Sequence, residues 1–355
     1  MSKKILVAMS GGVDSAVAAA LLKEQGYEVD GGIMRLWNTA VEDAQHVADR
    51  LGIKLHVFDL EEEFSKQVIG DFINSYLNGM TPNPCIVCNK KFKFGTFLKN
   101  ALELGYDYIA TGHYAKIIHD NSTGLFRLAK SENTSKDQSY FLYNMTQKEL
   151  SHTLFPIEDY AKEFIRKKAT ELGLNVARKK DSQDICFIPN GDYSTFIKEH
   201  IYDKTILPGD FVNTSGDVIG KHNGIINYTI GQRNGLGMGF GKRMYVISID
   251  TANNTVILGD DSEVYKNSLF AHNITFVDKS SLDEIINNPD GYACTACIRY
   301  RAKPTKCRIF AYECQCGCSK GIRVLFDGDV RAVTSGQSIV FYDGDFVLGG
   351  AVIQE

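Results

Sequence analysis

The sequence predicts an α/β protein of three parts: an N-terminal parallel sheet flanked by helices, a small central domain and a C-terminal antiparallel β-barrel. Strand-like and helix-like segments alternate from Ile5 to Thr111, which is typical of a parallel sheet with helices on both faces. After about His200 the helical periodicity fades and glycine-rich turns appear. From about Ala271 short strand-like runs recur between turns, as in a small antiparallel barrel. We therefore expect domains at residues 1–200, 201–266 and 267–355.

The composition indicates a soluble globular protein. Of the 355 residues, 23% are charged and 44% are hydrophobic, and no apolar run approaches the length of a membrane span. Met1–Lys4 leads directly into a strand and leaves no room for a signal peptide, so we expect a cytoplasmic protein without a membrane partner. In a reducing compartment the nine cysteines indicate chemistry or metal binding more than disulfides.

The net charge of −4 does not point to nucleic-acid binding, but a local basic face is sufficient for it. Four short clusters are rich in Lys and Arg: Lys90–Lys93, Arg166–Lys168, Arg178–Lys180 and Arg299–Lys303. Each cluster alone is more often a solvated face than a binding site.

The predicted elements of the first part follow from the spacing of apolar residues. Ile5–Ala8 is a continuous apolar run that indicates a buried strand, and the helix that begins at Ala16 ends at Gly26, a favoured C-terminal residue. The same patterns predict a strand ending near Met34, a helix at 41–51, a strand at 53–58, a helix at 64–76, a helix at 90–104 and a strand at 106–111. Two prolines predict that Thr81–Asn89 is a loop.

The rest of the first part is predicted to contain a hairpin and two further helices. Tyr114–Lys130 fits a hairpin around Asn121–Gly124, and Thr146–Glu149 is a capping box that starts a helix. Ile157–Leu172 has helical spacing, whereas Ile185–Pro189 is a short strand-like run.

The loop Ser10–Ser15, with the sequence Ser-Gly-Gly-Val-Asp-Ser, lies between a predicted strand and a predicted helix. Such a turn exposes backbone N–H groups at a helix N-terminus, where they can hold an anion. The lysine of the ordinary P-loop is missing, and the motif resembles the pyrophosphate loop of ATP pyrophosphatases, which cut ATP between its α and β phosphates and adenylate an oxygen. An ordinary strand-to-helix turn is the alternative. Because ligands of parallel sheets lie beyond the carboxyl ends of the strands, Met34 and Gly112–His113 are expected beside this loop.

Seven motifs, in this order, resemble those of the bacterial tRNA 2-thiouridylase family over essentially the whole chain. They are Ser10–Ser15, Thr81–Pro84 with Cys88–Lys90, Thr111–His113, Lys136–Tyr140, Asp184–Phe187, Tyr228–Arg233 and Phe341–Gly344. The resemblance implies an ATP pyrophosphatase-type sulfurtransferase that uses ATP and Mg²⁺ to 2-thiolate the wobble uridine of tRNA. ATP adenylates the C2 oxygen, and sulfur then displaces AMP. A sulfur donor protein is a second implied partner.

The resemblance also implies roles for individual residues. ATP contacts are implied for Ala8, Met9, Ser10, Gly11, Gly12, Val13, Asp14, Ser15, Met34 and Gly112. Contacts with tRNA are implied for Asn83, Pro84, Cys85, His113, Lys136, Asp137, Gln138, Arg299, Tyr300 and Gln337. Cys88 corresponds to the nucleophile and Cys186 to the cysteine that carries the persulfide, and sulfur release can join them in a disulfide. For Asp14 we expect a role in holding the metal or the loop, or a helix cap.

Position 85 departs from the family pattern, because many members carry aspartate where this chain has Cys85. With Cys88 and Cys186 it makes three thiols, which could ligate a 4Fe–4S cluster and leave one iron open to extra sulfide. The persulfide route and the cluster route therefore both stay open, as do a zinc site and an idle pair. Lys90–Lys91 and Arg178–Lys180 are expected to favour the thiolates.

A second group of cysteines lies in the last domain: Cys294, Cys297, Cys307, Cys314, Cys316 and Cys318. The spacing fits no standard zinc finger, so ordinary thiols and a structural zinc site are the two interpretations.

Two rival functions are compatible with parts of the pattern. Another adenylating enzyme of the same fold could join a small amine to a carbonyl, but it would not need Cys88 and Cys186. A non-catalytic nucleic-acid or metal-binding protein could keep an inactive nucleotide loop, but the intact motif at Ser10–Ser15 argues against it.

Overall fold

The structure is a computed structural model that describes residues 2–37, 39, 41–178, 185–201, 206–313 and 320–354. Its N-terminal part contains a five-stranded parallel sheet. Its strands are β1 (Lys4–Ala8), β2 (Glu28–Arg35), β3 (Leu55–Asp59), β4 (Tyr108–Ala110) and β7 (Thr153–Leu154). The order is β3-β2-β1-β4-β7, with every pairing parallel, which confirms the predicted sheet. The edge strand β7 was not predicted, because two residues carry no periodic signal.

Helices cover both faces of this sheet, as the alternation predicts. They are α1 (Val13–Glu24), α2 (Val41–Leu51), α3 (Glu61–Phe64), α4 (Gly70–Leu77), α5 (Pro84–Cys88), α6 (Leu98–Glu103), α7 (Gln147–Ser151), α8 (Lys162–Glu171) and α9 (Tyr193–Glu199). Apolar side chains of α1, α2 and α8 form one core, and those of α4, α5 and α6 belong to another. Two separate cores of this kind are what a sheet between two helical layers requires.

The prediction of a loop at Thr81–Asn89 is wrong for its second half. Pro84 is the first residue of α5, and α5 continues into a π-helical stretch, Asn89–Phe97, and then into α6. Proline is favoured at the first helical position, because its fixed φ suits the helix and its missing N–H would be unpaired there anyway. Only the segment before Pro84 is irregular.

Two further predictions need correction. Ile185–Pro189 forms a turn, closed by a 2.8 Å hydrogen bond from the Ile188 N–H to the Ile185 carbonyl, and not a strand. Its apolar side chains are explained by burial, because the Phe187 ring packs against Phe72 with 5.4 Å between centroids. The helix predicted from Ile157 begins at Lys162. The polar stretch at 179–184 lies outside the described residues.

The central part is a small four-stranded sheet. Its strands are β8 (Gly209–Asn213), β9 (Val218–His222), β10 (Tyr245–Asp250) and β11 (Thr255–Gly259), in the order β10-β11-β8-β9. Phe211, Val246, Val256 and Leu258 are fully buried and form its core.

The C-terminal part confirms the predicted antiparallel barrel. Its strands are β12 (Tyr265–Phe276), β13 (Tyr292–Cys297), β14 (Thr305–Glu313), β15 (Lys320–Arg331), β16 (Ser338–Asp343) and β17 (Phe346–Ile353), and α10 (Lys279–Asn287) follows β12. Pairing of β12 with both β15 and β17 closes the six strands into a ring.

The predicted hairpin is confirmed as β5 (Ala115–Asp120) and β6 (Leu125–Lys130), but it does not belong to the parallel sheet. β6 pairs with β17, so the hairpin extends the barrel sheet and joins the first part of the chain to the last. Among the helices of the described residues, none has the length and apolar character that crossing a bilayer requires.

Candidate active site

The loop Ser10–Ser15 is folded by its own hydroxyl groups. The Ser10 N–H donates to the Ser15 Oγ (3.2 Å), and that hydroxyl donates to the Gly12 carbonyl (3.2 Å). Gly11 has a φ of 68°, a left-handed conformation that favours glycine. Gly12 is the N-cap of α1, so the first N–H groups of this helix open toward the loop. The geometry suits an anion at this position.

Asp14 is held by two side chains that sequence reasoning missed. The Lys162 ammonium donates to both carboxylate oxygens (2.8 and 2.7 Å), and the Tyr114 hydroxyl donates to one of them (3.0 Å). Lys162 is 9% exposed and Tyr114 is 3% exposed. These contacts tie the start of α1 to Tyr114 and to α8, which supports the expected role of Asp14 in holding the loop.

Lys162→Met is expected to lower stability and to slow ATP turnover, because it leaves the Asp14 carboxylate with one partner fewer. The Asp14 side chain is 30% exposed, so the loss in free energy of unfolding should be about 1–3 kcal/mol, less than for a fully buried pair. Urea unfolding and pyrophosphate release measure the two effects.

The control for Lys162→Met is Lys168→Met on the same helix. Lys168 pairs with Glu24 at 2.8 Å, and the Glu24 side chain is 50% exposed. Exposed pairs of this kind contribute about 0–1 kcal/mol, so Lys168→Met should resemble the wild type. Equal behaviour of the two variants would mean that Lys162 has no special role at the loop.

Gly112 touches the same loop from the end of β4. A Cβ added at Gly112 would lie 2.7 Å from the Ser15 nitrogen and 2.8 Å from the Asp14 carbonyl carbon. On the other side of β1, strand β2 contributes Met34, which lies near its end and is 9% exposed. The structure therefore brings the predicted ATP-contact residues from three strand ends to one edge of the sheet.

His113 continues from Gly112 into a buried site. Its Nδ1 lies 2.7 Å from the Thr111 hydroxyl, and its ring packs against Phe94 and Phe155 at 5.8 and 6.0 Å. Burial, with a smaller contribution from the Lys93 charge, lowers the pKa of His113 well below its usual value. The imidazole is therefore neutral at physiological pH.

The three candidate thiols lie near one another. Cys85 and Cys186 keep solvent-exposed surface, and Cys88 is half-buried. The dense protein surroundings desolvate the sulfur atoms and so raise the pKa of all three thiols, for Cys88 to about 12. The charges of Cys186 and Cys85 also raise the pKa of Cys88, which places the three sulfur atoms within electrostatic reach of one another.

Lys93 is a cation within electrostatic reach of the three thiols. Its charge lowers the pKa of each of them and partly offsets the effect of desolvation. The sequence led us to expect this effect from Lys90–Lys91 and Arg178–Lys180, of which residues 179 and 180 lie outside the described residues. α5 continues directly into the π-helical stretch Asn89–Phe97, which carries Lys93.

The hypotheses of a 4Fe–4S cluster and of a zinc site find no arranged set of ligands among the described residues. Among the described residues, no group of three or more His, Cys, Asp or Glu side chains is arranged to hold a metal ion. In the barrel, Cys294 and Cys307 face each other across β13 and β14 with 3.6 Å between sulfurs, and Cys297 contacts the Ala302 carbonyl. Cys314, Cys316 and Cys318 lie outside the described residues.

Phe141, which sequence reasoning missed, links one of the predicted tRNA-contact residues, Tyr300, to the residue that follows Cys88. The Phe141 carbonyl accepts a 3.0 Å hydrogen bond from the buried Asn89 amide, next to Cys88. Its ring packs on exposed Tyr300 with 4.4 Å between centroids, and exposed Arg299 precedes Tyr300. The segment that follows β13 of the barrel therefore reaches the end of the helix that carries Cys88.

Three of the predicted tRNA-contact residues have structural partners of their own. The Asp137 carboxylate accepts bonds from the Ser131 N–H (2.9 Å) and the Ser139 hydroxyl (2.8 Å). The Gln138 side-chain oxygen accepts a bond from the Tyr114 N–H (3.1 Å). The Gln337 amide donates to the backbone ahead of α5. These contacts fix the segments that carry the predicted surface.

Family models match almost the whole chain. The model described as the tRNA methyl transferase HUP domain matches residues 3–190, the tRNA methyl transferase PRC-barrel domain matches residues 194–260, and the aminomethyltransferase beta-barrel domain matches residues 267–353.

Curated relatives match over their full length. The tRNA-specific 2-thiouridylase MnmA of Acetivibrio thermocellus is 50% identical over 368 residues, which cover 99% of this chain and 99% of the relative. The protein of the same name from Clostridioides difficile is 47% identical, with 100% of this chain and 99% of the relative covered.

Proposed function

Because the chain belongs to the tRNA-specific 2-thiouridylase family, we propose that it replaces the C2 oxygen of the wobble uridine of tRNA by sulfur, with ATP as activating substrate. The enzyme is a tRNA sulfurtransferase. One observation carries the proposal: the His113 ring, one residue after the Gly112 that touches the Ser10–Ser15 loop, packs on Phe94 with 5.8 Å between centroids, and Phe94 lies in the π-helical stretch that directly follows α5 and its two cysteines. Activation and sulfur transfer can therefore take place at adjacent positions.

The first step is activation of the base, because a carbonyl oxygen is a poor leaving group. The C2 oxygen of uridine attacks the α-phosphorus of ATP, and pyrophosphate leaves with its electron pair. The N–H groups at the start of α1 hold the phosphates. Lys162 neutralises Asp14, so the negative phosphates meet a loop whose own carboxylate is balanced. Mg²⁺, where it enters with ATP, would supply further neutralisation of the phosphate charge.

The second step transfers sulfur from a persulfide on Cys186. The terminal sulfur attacks C2, and AMP leaves with the former C2 oxygen. The Cys88 thiolate attacks the inner sulfur of the Cys186 persulfide, so that the terminal sulfur departs with its electron pair and a Cys88–Cys186 disulfide remains. A two-electron thiol reductant then restores both thiols. The charge of Lys93 stabilises the thiolate that this step needs.

The sulfur comes from a donor protein that passes a persulfide to Cys186, whose exposed side chain can be reached from outside. We place the reaction in the cytoplasm. The anticodon loop is single-stranded, so its wobble base can leave the stack at little cost and approach the three thiols. The proposed tRNA contacts include Arg299, Tyr300 and Lys136.

Thiolation of tRNA by the purified protein tests the proposed function. Anaerobic protein is incubated with ATP, Mg²⁺, a cysteine desulfurase with cysteine, and unmodified tRNA, and the digested tRNA is analysed by mass spectrometry. We expect 2-thiouridine that depends on ATP and on the desulfurase. Pyrophosphate release without 2-thiouridine would favour an adenylating enzyme with another acceptor. No pyrophosphate release with tRNA present would favour a non-catalytic binding protein.

Cys85→Asp distinguishes the persulfide route from the cluster route. We favour the persulfide, because the described residues contain no three-ligand metal group although Cys85, Cys88 and Cys186 are near one another. The variant is therefore expected to thiolate tRNA at a rate within about threefold of the wild type, as a change without effect on the barrier permits. Iron analysis of the anaerobic protein accompanies the assay. Bound iron in the wild type, lost together with thiolation in Cys85→Asp, would establish the cluster instead.

A further inference from the structure

Gln337, the residue directly before β16, is bonded to the segment that leads into the thiol-bearing helix α5. Its side-chain amide nitrogen donates to the Thr81 carbonyl (2.7 Å) and to the Pro82 carbonyl (3.3 Å). The Gln337 side chain is half-buried. Both N–H groups of the amide therefore point into the protein backbone.

The support for Gln337 is rigid. The Ile353 N–H donates to the Gln337 carbonyl (2.8 Å), which ties it to the last strand of the barrel. One residue earlier, Gly336 has a φ of 89°, and a Cβ added to it would lie 3.0 Å from the Met80 Cβ. Next to it, the Ser335 carbonyl accepts a 2.8 Å hydrogen bond from the Thr81 N–H. The barrel thus holds both polar backbone groups of Thr81.

The central domain reaches the same residue. The Thr81 hydroxyl lies 3.5 Å from the Thr229 hydroxyl. Residues 81 and 82 are therefore the point at which all three parts of the chain meet. Beyond this point only Asn83 separates Pro82 from Pro84, the first residue of α5. Proline fixes φ at two of these three positions, so a displacement of Thr81–Pro82 is passed to Cys85 and Cys88 with little chance of relaxation.

We propose that Gln337 is a positioning residue: by bonding the Thr81 and Pro82 carbonyls it sets the start of α5 and thereby the position of the Cys88 thiol, without itself having to touch tRNA. The proposal rests on the proposed function only in taking Cys88 as the nucleophile. It assigns to the barrel a second task besides contact with tRNA, because the strand that carries Gln337 also orients the reactive helix.

The test compares Gln337→Glu with Ser335→Ala. Glutamate has nearly the shape of glutamine, but at neutral pH its carboxylate cannot donate a hydrogen bond to either carbonyl. Its negative charge would instead lie opposite the two carbonyl oxygens. Ser335 is a matched control, because its hydroxyl donates to the Gln354 carbonyl (2.6 Å) and only its backbone contacts Thr81. Gln337→Leu, which lacks both the donors and the charge, distinguishes the lost bonds from the added carboxylate.

The decisive measurement is the rate at which iodoacetamide alkylates Cys88 in tRNA-free protein, followed by mass spectrometry of the Cys88 and Cys186 peptides. Loss of the two bonds should change the Cys88 rate about fivefold or more in both Gln337 variants. The Cys186 rate and the whole Ser335→Ala protein should stay at wild-type values. A change at both cysteines would indicate general unfolding and would overturn the proposal.

Thiolation kinetics and filter binding complete the test. We expect kcat to fall about fivefold or more in Gln337→Leu, while the Kd for tRNA stays within about twofold of wild type. Unchanged alkylation of Cys88 with weaker tRNA binding would make Gln337 a tRNA contact and would overturn the positioning role. Absence of 2-thiouridine in the wild type would refute the proposed function, but the alkylation comparison would still decide the role of Gln337.

Discussion

Gly112→Ala is expected to abolish pyrophosphate release, because the protein has no room for one methyl group at this position. The added Cβ would lie 2.7 Å from the Ser15 nitrogen, 2.8 Å from the Asp14 carbonyl carbon and 2.9 Å from the Asp14 Cβ. All three are atoms of the first turn of α1 or are rigidly attached to it. A backbone cannot rotate out of the way as the end of a long side chain can, so the nucleotide loop itself must move.

Misplacement of a reacting group by about 1 Å can cost about a hundredfold in rate. We therefore expect Gly112→Ala to release pyrophosphate at most about one hundredth as fast as the wild type in an assay with ATP and tRNA. Overpacking should also lower the free energy of unfolding by about 1–3 kcal/mol. Binding of tRNA should change little, because the proposed contacts at Arg299 and Tyr300 lie on the barrel.

Gly70→Ala is the matched control in the same domain. Its Cβ would meet nothing nearer than the Ser65 carbonyl oxygen at 3.6 Å, an ordinary contact distance. Gly70 begins α4, and alanine is favoured over glycine in a helix. The control should thus fold and turn over ATP like the wild type. Full activity of Gly112→Ala would remove this glycine from the nucleotide site.

The features that could be predicted from the sequence are those carried by local patterns. Apolar runs and glycine stops predicted the strands and helices of the first sheet, and the loop at Ser10–Ser15 was correctly placed between a strand and a helix. The topology of a parallel sheet then placed Met34 and Gly112 at the same edge. Each of these inferences needs only neighbouring residues or a general rule of sheet topology.

The features that could not be predicted depend on contacts between distant segments. Lys162 reaches Asp14 across 148 positions of sequence, and Gln337 reaches Thr81 across 256. No periodicity encodes such pairs. The link between Lys93 and Cys88 was missed for another reason: Thr81–Asn89 was predicted to be a loop, whereas the chain continues from α5 into the π-helical stretch Asn89–Phe97.

Pro84 begins a helix although a loop was predicted there, and this difference also involves contacts between distant segments. Two prolines in four residues argue against regular structure, yet proline is tolerated at the first helical position. In the structure the second rule applies to Pro84, and the segment ahead of it is bonded to the distant Gln337.

Cys88→Ser and Cys186→Ser are expected to abolish thiolation while leaving the activation step intact. Serine fills nearly the same space, but it cannot carry a persulfide or form a disulfide. The formation of 2-thiouridine should fall at least about a thousandfold, as when a nucleophile is removed. Pyrophosphate release with tRNA should stay near the wild-type rate, because the nucleotide loop lies on other elements, β1 and α1.

Labelled sulfur separates the roles of the two cysteines. After incubation with a desulfurase and ³⁵S-cysteine, Cys88→Ser should retain label on Cys186, because nothing attacks the inner sulfur of the persulfide. Cys186→Ser should retain none at that position. Cys294→Ser is the control, since this thiol faces Cys307 in the barrel, and it should behave as wild type. Label on Cys88 in the Cys186→Ser protein would exchange the two assigned roles.

The pH dependence gives an independent check on Cys88. Burial raises its pKa to about 12, so below that pH the free enzyme holds this sulfur as a thiol, and its alkylation should still rise as the pH is raised through 9. The Lys93 charge opposes the rise in pKa. In Lys93→Met the pKa should therefore increase further, and alkylation of Cys88 at a given pH should slow relative to wild type. Equal alkylation of both proteins across the pH series would exclude Lys93 as the cation that activates the nucleophile.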